Sequence, residues 1–276
     1  MEKQNKNQDN LSLYVLKTIG YTLAGIVIAV FYLLSVITSI CPKAAGNIYN
    51  IVGAEKAVTI CYEKEYVKNP TNVNLYNLVQ QSIVTNDYAR VKEFCYTIPK
   101  LKKYKEFETE INEMTRKDVP KNKIAFVYDI DSYLNSAYIK ALYETGDKQS
   151  ARQEFYTSDI KRDDHPYTNS MVTYINCLYN DNTMTKEEKN GDLSSFFTNL
   201  YFDGKSIQEH LESRLLTIED INEETINGKI FNVYSQIKLN TCFYKIYDIL
   251  GNPEQKSNYE ARITELTIEY ENLIKE

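Results

Sequence analysis

The sequence predicts an all-α protein in which a single N-terminal transmembrane helix is followed by a series of helical hairpins. Three observations lead to this fold class. The segment from Thr18 to Pro42 contains no charged residue. Beyond it, apolar residues recur at spacings of three and four, with short polar breaks between the runs. Alternating, strand-like runs are almost absent, so helices must supply the core.

The apolar segment is long enough to cross a membrane. At 1.5 Å per helical residue, Thr18 to Pro42 extends about 37 Å, against a hydrocarbon core of about 30 Å. A cleavable signal peptide would have a shorter apolar region, of about 7 to 15 residues, and small residues before its cleavage site. The candidate site Ser39-Ile40-Cys41 is followed by Pro42, which is expected to hinder cleavage, and Lys43-Ala44-Ala45 has a charge where a small residue is needed. We therefore expect an uncleaved anchor.

Lysines near the two ends of this segment predict its orientation. Lys3, Lys6 and Lys17 precede the segment, whereas Lys43 and Lys56 follow it. Cytoplasmic flanks are enriched in Lys and Arg. The sequence therefore predicts a single-pass protein of the cell membrane, with its N-terminus inside and its large C-terminal domain outside the cytoplasm.

The predicted organisation has four parts. Residues 1–17 form a short tail and residues 18–42 form the transmembrane helix. Residues 43–160 form helical repeats, and residues 161–276 form further hairpins closed by a C-terminal capping helix. In this capping helix, an apolar stripe of Ile263, Leu266, Ile268 and Leu273 is expected to pack on the preceding helix.

Individual helices follow from the spacing of apolar residues and from Gly, Asn and Pro breaks. The segment from Asn180 to Asp192 is the most loop-like. Helices are predicted, in chain order, at Ile48–Val52 and from Ala57 to Pro70, Val73–Val84, Tyr88–Ile98, Lys100 to before Pro120, on either side of Gly146 within Ser136–Tyr156, Met171–Tyr179, Ser206–Leu216, Asn227–Leu250 and from Pro253 to near Lys275.

The first hairpin resembles a tetratricopeptide repeat, a helix-turn-helix unit of 34 residues. Its small, aromatic, turn and closing positions fall on Gly46, Tyr49, Gly53, Tyr62 and Pro70. A second copy begins about 33 residues later. In a later copy, Gly146 is the turn, Ala151 the small residue and Phe155 the aromatic residue.

This resemblance implies an α-solenoid whose first helices line a groove that binds a protein or peptide. For each candidate contact residue, simple solvent exposure is the alternative. The candidate groove residues are Asn47, Asn50, Tyr76, Gln80, Lys140 and Tyr143.

Composition and motifs argue against other classes of function. The net charge of −6 and the pI of about 5.3 provide no field that would attract nucleic acid. The five cysteines are scattered, so no metal or cofactor site is predicted. Phosphate-binding, nucleophile-elbow and zinc-protease motifs are missing from the sequence. Asp163-Asp164-His165 pairs a carboxylate with an imidazole but lacks a nearby nucleophile.

The sequence therefore favours a membrane-anchored, non-catalytic scaffold for a protein or peptide partner. Two other hypotheses remain. One is a structural membrane protein that self-associates as a homo-oligomer. The other is an enzyme whose site matches no familiar motif.

Overall fold

A computed structural model of the chain confirms the all-α class. Helices form nearly all of the described structure, apart from one pairing of two-residue strands. The chain divides into an N-terminal unit, Met1–Thr85, and a C-terminal unit, Asn86–Glu276. The structure describes residues 2–117, 130–155, 169–197, 201–202, 205–206 and 226–275.

The N-terminal unit contains four helices, each packed against the next. Their bounds are α1 Glu2–Ile40, α2 Pro42–Ile51, α3 Glu55–Lys68 and α4 Asn72–Val84. The hydrophobic side chains buried in this unit are small or aliphatic. They include Ala45, Val58, Cys61, Leu75 and Val79.

Within α1, the window Lys17–Ile40 is long and apolar enough to span a membrane, and only 6% of it is buried. A core helix of a soluble protein would instead be mostly buried. The helix ends at Ile40, two residues before the predicted limit, because Cys41 leaves the helical conformation and Pro42 begins α2. The ammonium group of Lys68, the last residue of α3, donates a 2.8 Å hydrogen bond to the Ile40 carbonyl.

Helices α2 and α3 approach closely at Gly46. A Cβ atom at this position would lie 3.3 Å from the Cβ of Cys61 on α3. The turn between the two helices is made by Gly53, whose φ of +71° is left-handed and costs little for glycine. The turn at Gly53 follows α2, where the sequence pattern predicted a break.

The C-terminal unit begins with α5, Tyr88–Thr97, followed by a short 3₁₀ turn at Ile98–Lys100. Strand β1, Tyr201–Phe202, pairs antiparallel with β2, Lys205–Ser206. The helices that follow α5 are α6 Tyr104–Lys117, α7 Ile130–Glu144, α8 Lys148–Phe155, α9 Asn169–Asn180, α10 Lys186–Phe197, α11 Ile226–Leu250 and α12 Pro253–Leu273.

Helices α7 and α11 each pack against at least three other helices of this unit. Helix α7 contacts α5, α8 and α9, while α11 contacts α9, α10 and α12. The core between them contains stacked aromatic rings. Phe155 stacks on Tyr174 with ring centroids 5.4 Å apart, and Phe243 stacks on Tyr259 at 5.3 Å.

The loop predicted from Asn180 to Asp192 is wrong in its second half, because α10 begins at Lys186. A reciprocal capping box starts this helix. The Glu188 carboxylate accepts a 2.7 Å hydrogen bond from the Thr185 backbone N–H, and the Thr185 hydroxyl accepts one of 3.2 Å from the Glu188 N–H.

The predicted capping helix, α12, packs on α11, but its stripe differs from the prediction. Leu266 is buried, whereas Ile268 is 57% exposed. Ile268 lies two residues after Leu266, and side chains two positions apart in an α-helix lie on nearly opposite faces. The ring of Tyr259 contacts Phe243 of α11, and the ring of Tyr270 contacts Tyr234 of the same helix. Of the helix predicted at Ser206–Leu216, Ser206 belongs to β2 and the remainder lies outside the described residues.

Candidate functional site

Two adjoining cavities in the C-terminal unit lie along α7, α9 and α11. The first has a volume of about 680 Å³ and the second about 390 Å³. Thr173 and Asn176, both on α9, line both cavities. We call the two cavities together the α9 groove. Volumes of this size are typical of ligand-binding clefts.

The first cavity has a polar lining with balanced charge. Lys140 and Lys148 oppose Glu144 and Asp181. The ring of Tyr88 forms part of the wall, and the Lys140 ammonium lies 5.7 Å from its centroid. Three amide side chains face the same space, those of Asn176, Asn180 and Asn182.

The carboxylate of Asp181 organises one end of the first cavity. Its side chain is only 7% exposed. It accepts hydrogen bonds from the Tyr143 hydroxyl at 2.9 Å, from the Lys148 ammonium at 2.5 Å, and from the backbone N–H of Thr183 at 2.8 Å. The Thr183 hydroxyl donates a further one. Asp181 therefore joins α7 and the start of α8 to the segment that follows α9.

These contacts keep Asp181 ionised. Burial raises the pKa of its carboxyl group, but the hydrogen bonds from Lys148, Thr183 and Tyr143 outweigh burial and hold the pKa well below its usual range. For the Tyr143 hydroxyl, burial and then the hydrogen bond to Asp181 raise the pKa. At neutral pH the pair is a phenol donating to a carboxylate, which suits a structural contact.

Cys177 is a half-buried thiol in the wall of the first cavity. Burial is the main cause that raises its pKa to about 11, and nearby Glu144 adds to the effect. The thiolate is the reactive form of cysteine, so this side chain is a weak nucleophile at neutral pH.

The second cavity has a different electrostatic character. None of the ten described residues that line it is acidic, and two of them, Lys238 and Lys245, are basic. The Lys245 ammonium donates a 2.5 Å hydrogen bond to the Asn176 side-chain oxygen and lies 5.5 Å from the centroid of the Tyr179 ring. Ser136 also lines this cavity, and its buried hydroxyl has no hydrogen-bond partner in the part of the chain that the structure describes.

The six predicted groove residues fall in both units. Lys140 and Tyr143 lie together on α7 and line the first cavity. In the N-terminal unit, Gln80 donates a hydrogen bond to the Tyr76 hydroxyl one turn away on α4. The remaining two, Asn47 and Asn50, are exposed on α2.

Sequence reasoning missed the residues of α9 and α11 that shape the groove. The Asp181 side chain accepts from the N–H of Thr183, two residues later, which is an Asx turn with a recognisable Asp-x-Thr pattern. That pattern predicts a turn but not the partner Tyr143, which lies 38 positions earlier. Thr173 and Lys245 have no local pattern that would mark them.

The described residues contain no group of three or more His, Cys, Asp or Glu side chains placed to hold a metal ion. The segment Asp163-Asp164-His165 lies outside the described residues. No protein-family model, curated protein or solved structure matches this chain.

Proposed function

We propose that this protein is a membrane-anchored helical-repeat scaffold that binds a protein or peptide partner and has no catalytic activity. The observation that carries the proposal is the α9 groove, in which two adjoining cavities share Thr173 and Asn176. Two adjoining cavities along neighbouring helices suit an extended ligand better than a small substrate.

The lining of the groove matches the chemistry of a polypeptide. The amide side chains of Asn176, Asn180 and Asn182 each offer both donor and acceptor groups, as a peptide backbone does. Tyr88 and Tyr143 add aromatic faces beside them. Aromatic residues are enriched where proteins bind proteins.

Several local features support a tetratricopeptide-like solenoid as the scaffold. Gly53 and Gly146 have left-handed conformations at the turns of two hairpins. Gly46 permits the close approach of α2 to α3. Helices α7, α9 and α11 are successive neighbours, as the first helices of stacked hairpins are.

The apolar window Lys17–Ile40 would anchor this scaffold in a cell membrane. The excess of lysine before Thr18, where Lys3, Lys6 and Lys17 precede the uncharged segment and Lys43 and Lys56 follow it, favours an N-terminus on the cytoplasmic side. The groove would then face partners outside the cytoplasm.

Photo-crosslinking in intact membranes tests this function. A photoreactive amino acid replaces Thr173, inside the groove, and a matched variant carries it at Thr267, which is exposed on α12. We expect a discrete crosslinked product from position 173 and none from position 267. The product should disappear when Asn180→Ala and Lys140→Ala are added, because both side chains line the first cavity. Equal products from both positions would contradict the proposal.

Self-association is a second candidate, favoured by the apolar residues Ile51 and Val52 at the end of α2, which are 85% and 69% exposed. The same experiment separates the two functions by mass. A product of twice the chain mass from a photoreactive residue at Ile51 would support a homo-oligomer. If Ile51 gives no such product, the scaffold remains the better account.

A further inference from the structure

We propose that the second cavity is a subsite for a negatively charged side chain, a carboxylate or a phosphoryl group, of the segment bound in the α9 groove. This inference rests on the proposed function and specifies the chemistry of its partner. It is carried by three observations on the second cavity, namely its charge, the contacts of Lys245 and the buried hydroxyl of Ser136.

The charge of the cavity is opposite to that of the chain. Lys245 contributes a formal positive charge to the lining, and the described lining residues contribute no negative charge. The whole chain carries a net charge of −6. A cationic side chain on the wall of a concave site raises the local concentration of anions.

The Lys245 ammonium is held in place by neutral groups. Within the described part of the chain it contacts the Asn176 amide oxygen and the Tyr179 ring, and no carboxylate pairs with it. These contacts orient the ammonium without neutralising its charge. An ammonium has three donor positions, so an incoming anion would find both an uncompensated charge and a donor.

Hydroxyl groups complete the donor set. The Ser136 hydroxyl is buried without a partner among the described residues, an arrangement that native proteins rarely retain. Thr173 lines the same cavity, whereas the Thr241 hydroxyl already donates a 2.7 Å hydrogen bond to the Ile237 carbonyl. A bound oxyanion that accepted from Ser136 and Thr173 would account for both the charge and the orphan donor.

The first cavity provides an internal contrast. There Lys148 is already paired with Asp181, and Glu144 adds a second negative charge. The charges of the first cavity balance and offer an acidic side chain no net attraction, whereas the second cavity attracts it. The groove therefore prefers a bound segment whose acidic position lies over α11.

The test measures anion binding directly on the full-length protein in detergent micelles. Lysines are converted to ¹³C-dimethyl-lysine, which keeps the charge, and Lys245→Met identifies the Lys245 signal by its loss. Acetylated, amidated tripeptides Gly-Glu-Gly, Gly-Gln-Gly and Gly-phosphoserine-Gly are titrated, together with inorganic phosphate. We expect saturable shifts of the Lys245 signal and binding of an anionic peptide about tenfold tighter than that of the glutamine peptide.

The affinities of the glutamate and phosphoserine peptides are compared to identify the anionic group. The peptide that binds more tightly carries the group that the cavity accepts. Lys245→Arg should retain the preference, and Lys229→Met, at an exposed position of the same helix that lines neither cavity, should leave it unchanged. Ser136→Ala tests the subsite without changing Lys245. It removes the buried hydroxyl and should weaken anion binding several-fold. Equal affinity for all three peptides, or a preference that survives Lys245→Met, would overturn the subsite.

Failure of the subsite is distinguishable from failure of the scaffold function. A crosslinked partner at position 173, without any charge preference among the peptides, would leave the scaffold in place and remove the subsite. Shifts of the Lys245 signal with glutamate or phosphate, without any crosslinked partner, would leave an anion site and remove the peptide scaffold.

Discussion

The Tyr143 hydroxyl donates a 2.9 Å hydrogen bond to the Asp181 carboxylate, and so ties α7 to the segment between α9 and α10. The contact spans 38 positions in the sequence. Lys148 reaches the same carboxylate from α8. Helices α7 and α8 and the segment between α9 and α10 are therefore linked by one acidic side chain, and the shape of the first cavity depends on this link.

Asp181→Asn should destabilise the C-terminal unit by about 1–3 kcal/mol, because an amide would replace a carboxylate that is only 7% exposed and accepts hydrogen bonds from Tyr143, Lys148 and Thr183. Glu106→Gln is the matched control. It removes an ion pair with Lys103 whose side chains are 64% and 77% exposed, and should change stability by less than about 0.5 kcal/mol. Urea unfolding of both variants measures the difference. Equal effects would contradict the central role of Asp181.

The contribution of Asp181 to the stability of the folded protein should decrease as the pH is lowered. Its pKa is depressed in the folded protein, whereas in the unfolded chain it is about 3.9. The stabilisation is therefore fully present above the unfolded pKa and is lost as pH falls through the folded pKa. We expect the stability difference between wild type and Asp181→Asn to be constant from pH 6 to 7 and to shrink below about pH 4. A difference that grows on acidification would be inconsistent with an ionised Asp181.

Local backbone chemistry made the turns predictable from sequence. Gly53, Gly146 and Gly251 all have positive φ, and Asn86 has a φ of +54° in the break between α4 and α5. Glycine and asparagine tolerate this conformation better than other residues, so they mark helix ends without tertiary information. The start of α10 was missed although Thr185 and Glu188 carried the pattern of a capping box.

Little of the lining of the α9 groove could be predicted from the sequence. Of the six residues that the tetratricopeptide resemblance named, Lys140 and Tyr143 line the first cavity. Their partners come from elsewhere in the chain. Asp181 and Lys245 reach the groove because α9 packs between α7 and α11, which is a property of long-range packing rather than of any local pattern.

The close approach at Gly46 predicts opposite effects of adding side chains at two helical glycines. Gly46→Leu should destabilise by about 1–3 kcal/mol, because its Cβ would already lie within 3.3 Å of the Cys61 Cβ. Gly191→Ala, at an exposed position of α10 with nothing within 4 Å, should stabilise by about 0.5–1 kcal/mol. Chemical unfolding of the two variants compares them. Stabilisation by Gly46→Leu would show that α2 and α3 are not tightly packed.

The capping box predicts the behaviour of α10. Thr185→Ala removes the acceptor for the Glu188 N–H and should cost about 1 kcal/mol, whereas Thr185→Ser keeps the hydroxyl and should cost much less. Hydrogen exchange at the first turn of α10 is the most direct measurement. We expect faster exchange in the alanine variant alone. Equal exchange in both variants would mean that the threonine hydroxyl does not stabilise this helix end.

The lysine distribution around the apolar window predicts that the C-terminal unit faces away from the cytoplasm. The native Cys242 is a poor topology reporter because it is only 2% exposed. Lys275→Cys places a thiol on an exposed residue after α12. A membrane-impermeant maleimide should label this variant on intact cells, while the protein stays in the membrane pellet after alkaline carbonate extraction. Labelling that appears only after lysis would place the α9 groove in the cytoplasm, and release by carbonate would rule out Lys17–Ile40 as a membrane span.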